Sequence, residues 1–232
     1  MSAPSKPANP FAMKARAKTE GSDYTPPPAG SHPAALVAVV DLGTHTDVYN
    51  GEAKTARQIY LVWELLGEQR EDGQNHLIGQ RYTLSSHSKA SFRLMLEGWR
   101  GRGFADNEDF NFPEGWVGKN CLANVTHETS SGGKEYAKLK AIAPLPKMME
   151  KSCPKPSYPV ICWSFASDDE LPDVSHLPYV FGVPVKDKVE ASKEWKETYL
   201  TKPMGNGKQR PDPDRPLADD GETQPKEEEI PF

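Results

Sequence analysis

No stretch of this chain is apolar for the roughly 20 consecutive residues that a membrane-spanning helix requires. Its first 33 residues (MSAPSKPANPFAMKARAKTEGSDYTPPPAGSHP) hold no apolar signal core, so neither insertion nor export is expected. Cysteine is scarce: Cys121, Cys153 and Cys162 are odd in number and lack CxxC spacing. That argues against a structural zinc site or a disulfide framework, for incidental or buried thiols, and for a reducing cytoplasm. Catalytic signatures are missing as well. The chain has no GxxxxGK[ST], HExxH or GxSxG, and no GxGxxG opening a helix after a strand. Its histidines (His32, His45, His76, His87, His127 and His176) are scattered without ligand spacing, and Asp168-Asp169-Glu170 reads as a surface turn. No enzyme, cofactor or metal is expected.

Apolar residues are also few, at 36% with a mean hydropathy of −0.69. The 22 prolines gather toward both ends and after residue 143, so the globular part is shorter than the 232-residue chain. Charge is unevenly spread. From Pro203 onward eight acidic residues face four basic ones, which carries −4 of the net −5. The remainder is nearly balanced, so the pI of 5.7 does not exclude a basic face for nucleic acid.

The middle of the chain reads as a compact β domain over 34–146. Residues 34–43 (AALVAVVDLG) form a β-branched apolar run, hence a buried strand. After a polar stretch with an Asn50-Gly51 turn signal comes 57–66 (RQIYLVWELL), with Ile59, Leu61, Trp63 and Leu65 on its core face. A third strand spans 78–86. The period then changes: Phe92, Met95, Leu96 and Trp99 recur at helix spacing within 88–101, with Ser88 as cap and Gly101 as stop. Residues 116–127 and 134–142 are the fourth and fifth strands, joined by the flexible 129–133 (TSSGG). Three strands, a helix and two strands is the chain order of the OB-fold, a five-stranded Greek-key barrel that often binds oligonucleotides. The expected class is therefore mainly β. Residues 1–33 are expected to be a disordered arm, 147–201 an extension with short helices packing on the barrel, and 202–232 a disordered linker and tail.

Binding single strands without sequence preference takes cations along the phosphates and aromatic faces for the bases. In the fifth strand Tyr136, Lys138 and Lys140 alternate with Ala137, Leu139 and Ala141, so they share one face. That face is either a binding platform or a solvated outer sheet. The loop between strands one and two brings Tyr49, Lys54 and Arg57, and the loop between four and five brings Lys134; in an OB-fold these loops flank the groove. Tyr60 lies on the face of strand two away from the presumed core. Arg81 and Tyr82 point to opposite faces of strand three, so at most one is a direct contact. Arg93, Arg100 and Arg102 cluster around the helix as a phosphate path or, on the simpler reading, a solvated face.

Residues 219–232 (DDGETQPKEEEIPF) put Asp219, Asp220, Glu227, Glu228 and Glu229 before Ile230-Pro231-Phe232. An apolar plug on an acidic tether suits a docking peptide: Phe232 fills a pocket, Pro231 limits the entropy lost, and the acids steer toward basic partners. The plainer alternative is an acidic solvating tail. This ending resembles the tip of bacterial and phage single-stranded DNA-binding proteins. Across 35–146, AALVAVVDLG, RYTLSSHSKASFRLMLEGWRG and GKNCLANVTHETSSGGKEYAKLKAIAPLP are similar in layout to phage-encoded OB-fold proteins of that kind. The resemblance implies sequence-independent binding of single-stranded DNA in phage replication and recombination, within the bacterial host cytoplasm. It also implies recruitment of replication, recombination or repair proteins through the tail. The Pro-rich arm and the long region after the barrel depart from bacterial relatives, so their tetramer is not carried over and a homo-oligomer stays open. A protein-interaction adaptor that binds no DNA is the rival reading.

Overall fold

The computed structural model describes residues 25–49, 51–130 and 132–199. Along them run β1 (Gly30–Tyr49), β2 (Glu52–Gln69), β3 (Asn75–Thr83), α1 (Ser91–Arg100), β4 (Asn120–Thr129) and β5 (Glu135–Ala143). They are followed by α2 (Lys147–Glu150), β6 (Ile161–Trp163), α3 (Val185–Glu190) and a π-helical turn at Trp195–Tyr199. The fold is mainly β. Its antiparallel sheet has the order β3-β2-β1-β4-β5, and β6 joins β1 in parallel. The sheet is not closed: β3 and β5 approach each other without a hydrogen-bonded ladder. The N-terminal stretch through residue 24, the linker after residue 201 and the acidic tail through Phe232 lie outside the described residues.

The long strand β1 organises the rest. Its start pairs with β4 (Gly30↔Val125 to Ala35↔Asn120), and from Ala34 to Tyr49 it pairs with β2. Register shifts between Leu36 and Ala38 and between Asp41 and Gly43 are β-bulges, which bend a strand and increase its twist. β1 begins at Gly30, inside the segment read as arm. The carbonyls of Pro27 and Pro28 accept from His127 Nε2 (2.8 Å) and His32 Nε2 (2.9 Å), tying down the approach.

One face of the sheet builds the core that the spacing anticipates. Ile59, Leu61, Trp63 and Leu65 of β2 meet Phe92, Met95, Leu96 and Trp99 of α1, with Val125, Leu139 and Ile142 from the far side. Trp99 donates its indole N–H to the carbonyl of Asn120 (3.1 Å), which anchors α1 to the start of β4. α1 stops where expected, at Gly101 in the left-handed region (φ 72°), but begins at Ser91 with no side-chain cap. β4 starts only at Asn120, because 116–119 form a turn that carries Trp116 against the same core.

The opposite face is the main departure from the sequence reading. Val37, Val40 and Leu42 of β1 and Tyr60 and Val62 of β2 are buried beneath Ile161, Trp163, Val174, Leu177, Val180, Val185 and Val189. Each such side chain contributes about 1.5–3 kcal/mol on leaving water. A strand apolar in both phases must be covered on both faces, and the chain after β5 supplies that cover. Tyr60 lies across β3 so closely that a Cβ on Gly79 would sit 1.8 Å from its hydroxyl.

Two carboxylates strap the cover down. Glu64, 0% exposed, accepts from Ser157 N (2.8 Å), Ser157 Oγ (2.6 Å), Tyr158 N (3.1 Å) and Asn75 Nδ2 (2.6 Å). At the other end, Glu194 accepts from Thr44 N and Thr44 Oγ1, both at 2.6 Å. The neighbouring Gly43 (φ 76°) has no room for a side chain, since a Cβ there would lie 2.6 Å from that of Ser192.

Burial pushes the Glu64 carboxyl up, yet the hydrogen bonds from Ser157, Asn75 and Tyr158 outweigh it and hold its pKa below the ordinary 4.5. The stability it contributes is therefore present above that value and lost as pH falls below it. Glu64→Gln is expected to cost about 1.5–3 kcal/mol at neutral pH and to flatten the acid limb of the stability profile. Thermal melts of both proteins from pH 7 to 3 check this, and equal melting at pH 7 would rule it out.

Candidate nucleic-acid interface

The face of β4 and β5 turned away from the core carries Tyr136, Lys138 and Lys140, which alternate with the core-facing Leu139 and half-buried Ala137. Tyr136 is 39% exposed, and both lysines are exposed. Antiparallel pairing sets Glu128 opposite Tyr136 and Thr126 opposite Lys138. Glu128 thus reaches both: it accepts from Tyr136 Oη (3.0 Å) and from Lys138 Nζ (2.8 and 3.0 Å). Lys138 and Tyr136 hold the Glu128 carboxyl below its ordinary value, while the same contacts raise the Tyr136 phenol and the Lys138 ammonium. Lys140 and, at the hairpin, Lys134 are exposed, with side chains that make no hydrogen bond among the described residues.

A second group surrounds the β1–β2 hairpin, whose far end reaches Tyr49↔Glu52. Lys54 is exposed opposite Asp47. Arg57 grips Asp41, with Nε 3.3 Å from Oδ1 and Nη2 on Oδ2. Asp41 is buried and also accepts from Gly43 N (3.0 Å), so Arg57 chiefly neutralises an acid at the second bulge. Arg81 donates through Nη1 to Asp47 (2.8 Å) and to Gln58 (3.0 Å), and its guanidinium lies 4.7 Å over the Phe181 ring. At Asp47 burial raises the pKa, but hydrogen bonds from Gln58 and Arg81 and the charges of Arg81 and Lys188 bring it below normal.

Two expectations need correcting. Tyr60 is 2% exposed, sealed under the second core, and offers no ring to a ligand. Nor do the arginines around α1 form a simple solvated face, since only Arg102 is well exposed. Arg93 pairs with Glu97 (2.8 Å) and Arg100 with Glu108 (2.6 Å), and both guanidiniums lie near Phe104. They lock the 101–119 loop onto α1, and Arg102 adds a longer contact to Glu108 (3.4 Å).

Sequence reasoning passed over Glu128, Asp47 and the Tyr179–Val183 hairpin with Phe181. The acids carry no local signal, because a carboxylate opposite a cation is visible only once register is fixed. The hairpin did leave one, a Phe-Gly pair between two valines. Among the described residues, no group of three metal-ligating side chains occurs, and no helix is long and apolar enough to cross a membrane.

Replacing Glu128 by Gln removes the anion that raises the Tyr136 phenol, so the Tyr136 pKa is expected to fall toward 10.0. A tyrosine-labelled NMR titration reads this directly; an unmoved Tyr136 would mean the contact does not persist in solution. The sequence matches no protein-family model and no curated protein sequence.

Proposed function

We propose that this chain is a non-catalytic protein that binds single-stranded DNA without sequence preference, on an OB barrel formed by β1–β5 with α1 between β3 and β4. The order β3-β2-β1-β4-β5, with β1 shared between β2 and β4, supports the barrel reading. The observation that carries the function is the row on β5: Tyr136 supplies a face for a base, and Lys138 and Lys140 supply cations for adjacent phosphates. Lys134 extends this row at the hairpin, while Lys54 on β2 and Arg81 on β3 are further cations proposed to meet the strand. With the outer face of β1 and β2 covered by the extension, the strand is routed over β4–β5 and the hairpins instead.

The acidic residues Asp219, Asp220, Glu227, Glu228 and Glu229 with Ile230-Pro231-Phe232 are proposed as the docking peptide for replication, recombination or repair proteins. The biological setting that fits is phage DNA replication in a bacterial cytoplasm. The same acids compete with DNA for the barrel's cations at low salt.

Fluorescence anisotropy with labelled oligo-dT across a salt series tests the reading. Lys138→Ala with Lys140→Ala is expected to make the log affinity–log salt slope shallower by about 1.4, at about 0.7 per phosphate contact. Tyr136→Ala is expected to cost about 1–3 kcal/mol with little change in slope. A truncation ending at Lys202 is expected to bind more tightly than the full chain at low salt. Absence of binding by either protein would reject this function in favour of a protein-interaction adaptor.

A further inference from the structure

Phe181 sits in an unusual place for a large apolar side chain. It is 78% exposed, and its backbone lies in the left-handed region (φ 51°), which non-glycine residues seldom occupy and which favours Asn or Asp when they do. The cause is a tight hairpin: Val180 and Val183 bond to each other, and the two residues between them, Phe181 and Gly182 (φ 80°), both take positive φ. Val180 is buried in the second core, so the turn is fixed to the barrel and presents Phe181 outward. Tyr179, two residues earlier, is 62% exposed. An exposed ring held in a disfavoured backbone state, on a rigid mount, is a common mark of function.

The ring has a charged neighbour. The Arg81 guanidinium stacks on it at 4.7 Å and is held from one side only, through Nη1 to Asp47 and Gln58. Its Nε and Nη2 donate to nothing among the described residues. Lys188 stands near enough to act on the same Asp47 carboxylate. Rings and arginines occur together at protein contacts as well, but here the cation beside the ring is pinned through one nitrogen and keeps donors for a further anion. That combination suits a base on an aromatic face with a phosphate alongside.

We propose that Phe181 is a second base-stacking platform for single-stranded nucleic acid, with Arg81 gripping a neighbouring phosphate at the root of the β1–β2 hairpin. This rests on the single-stranded DNA reading above and extends the bound strand onto the chain that follows the barrel. Phe181 lies on a hairpin outside the five sheet strands, on the cover that buries Tyr60, while Arg81 reaches it from β3.

The test uses the full-length protein with labelled oligo-dT. Phe181→Asn removes the ring while suiting the left-handed turn, so its melting temperature is expected to stay level or rise. Its affinity is expected to fall about tenfold or more, with an unchanged salt slope because no cation is lost. Phe181→Trp is expected to keep wild-type affinity. If the wild type binds and Phe181→Asn binds equally well, the second platform is overturned while the DNA reading stands. If the wild type binds no oligo-dT, the DNA reading itself falls, and this one with it. If sedimentation velocity shows wild-type self-association that Phe181→Asn abolishes at unchanged DNA affinity, the ring belongs to a contact between copies and the proposal is overturned.

Discussion

Nine consecutive residues of β1, from Ala34 to Leu42, are each no more than 5% exposed, and one of them, Asp41, is charged. A strand with that run cannot sit on a sheet with one wet face. Burying Leu36 and Val39 on one side still leaves Val37, Val40 and Leu42 on the other, and the bulge at Leu36/Ala38 turns both Val37 and Ala38 outward. The second layer follows from that demand: β6 in parallel, the Val174–Val189 cover, and Glu64 and Glu194 as its fasteners. The placement of the candidate interface follows in turn. Once β1 and β2 are covered, open sheet surface with cations is found on β4–β5.

The sequence carried the inner core well because its signals are local and periodic. Ile59, Leu61, Trp63 and Leu65 alternate, while Phe92, Met95, Leu96 and Trp99 recur at helix spacing, and all eight meet in one cluster. The outer core was also written in the sequence, as Tyr60 and Val62 in the second phase of β2. Reading Tyr60 as an open ring left unassigned which face of the sheet the 147–201 extension covers. Its cover comes from distant, weakly patterned segments, where a three-residue strand and a six-residue helix give little periodicity.

The candidate site was legible in part for a related reason. Alternation along β5 groups Tyr136, Lys138 and Lys140 without any knowledge of its neighbours. What holds these side chains was not legible, because Glu128 reaches Tyr136 and Lys138 through β4–β5 register, Asp41 reaches Arg57 across the β1–β2 hairpin, and Asp47 reaches Arg81 on β3. Lys138, Arg57 and Arg81 each rest on an internal acid. Under the DNA reading proposed above, a phosphate would exchange places with a carboxylate there instead of meeting a bare charge, which would temper affinity and ease release.

The strap from Thr44 to Glu194 joins residues 150 positions apart. During synthesis at about 5–20 residues per second, Thr44 of β1 emerges roughly 8–30 seconds before its last fastener. Until β6 and the 174–189 segment follow, Val37, Val40, Leu42 and Val62 have no cover of their own. A nascent chain halted before β6 therefore presents the apolar outer face of β1 and β2 to the cell, a surface fit for chaperones or for aggregation. The outer layer makes the protein vulnerable while it is being made, and well sealed once it is complete.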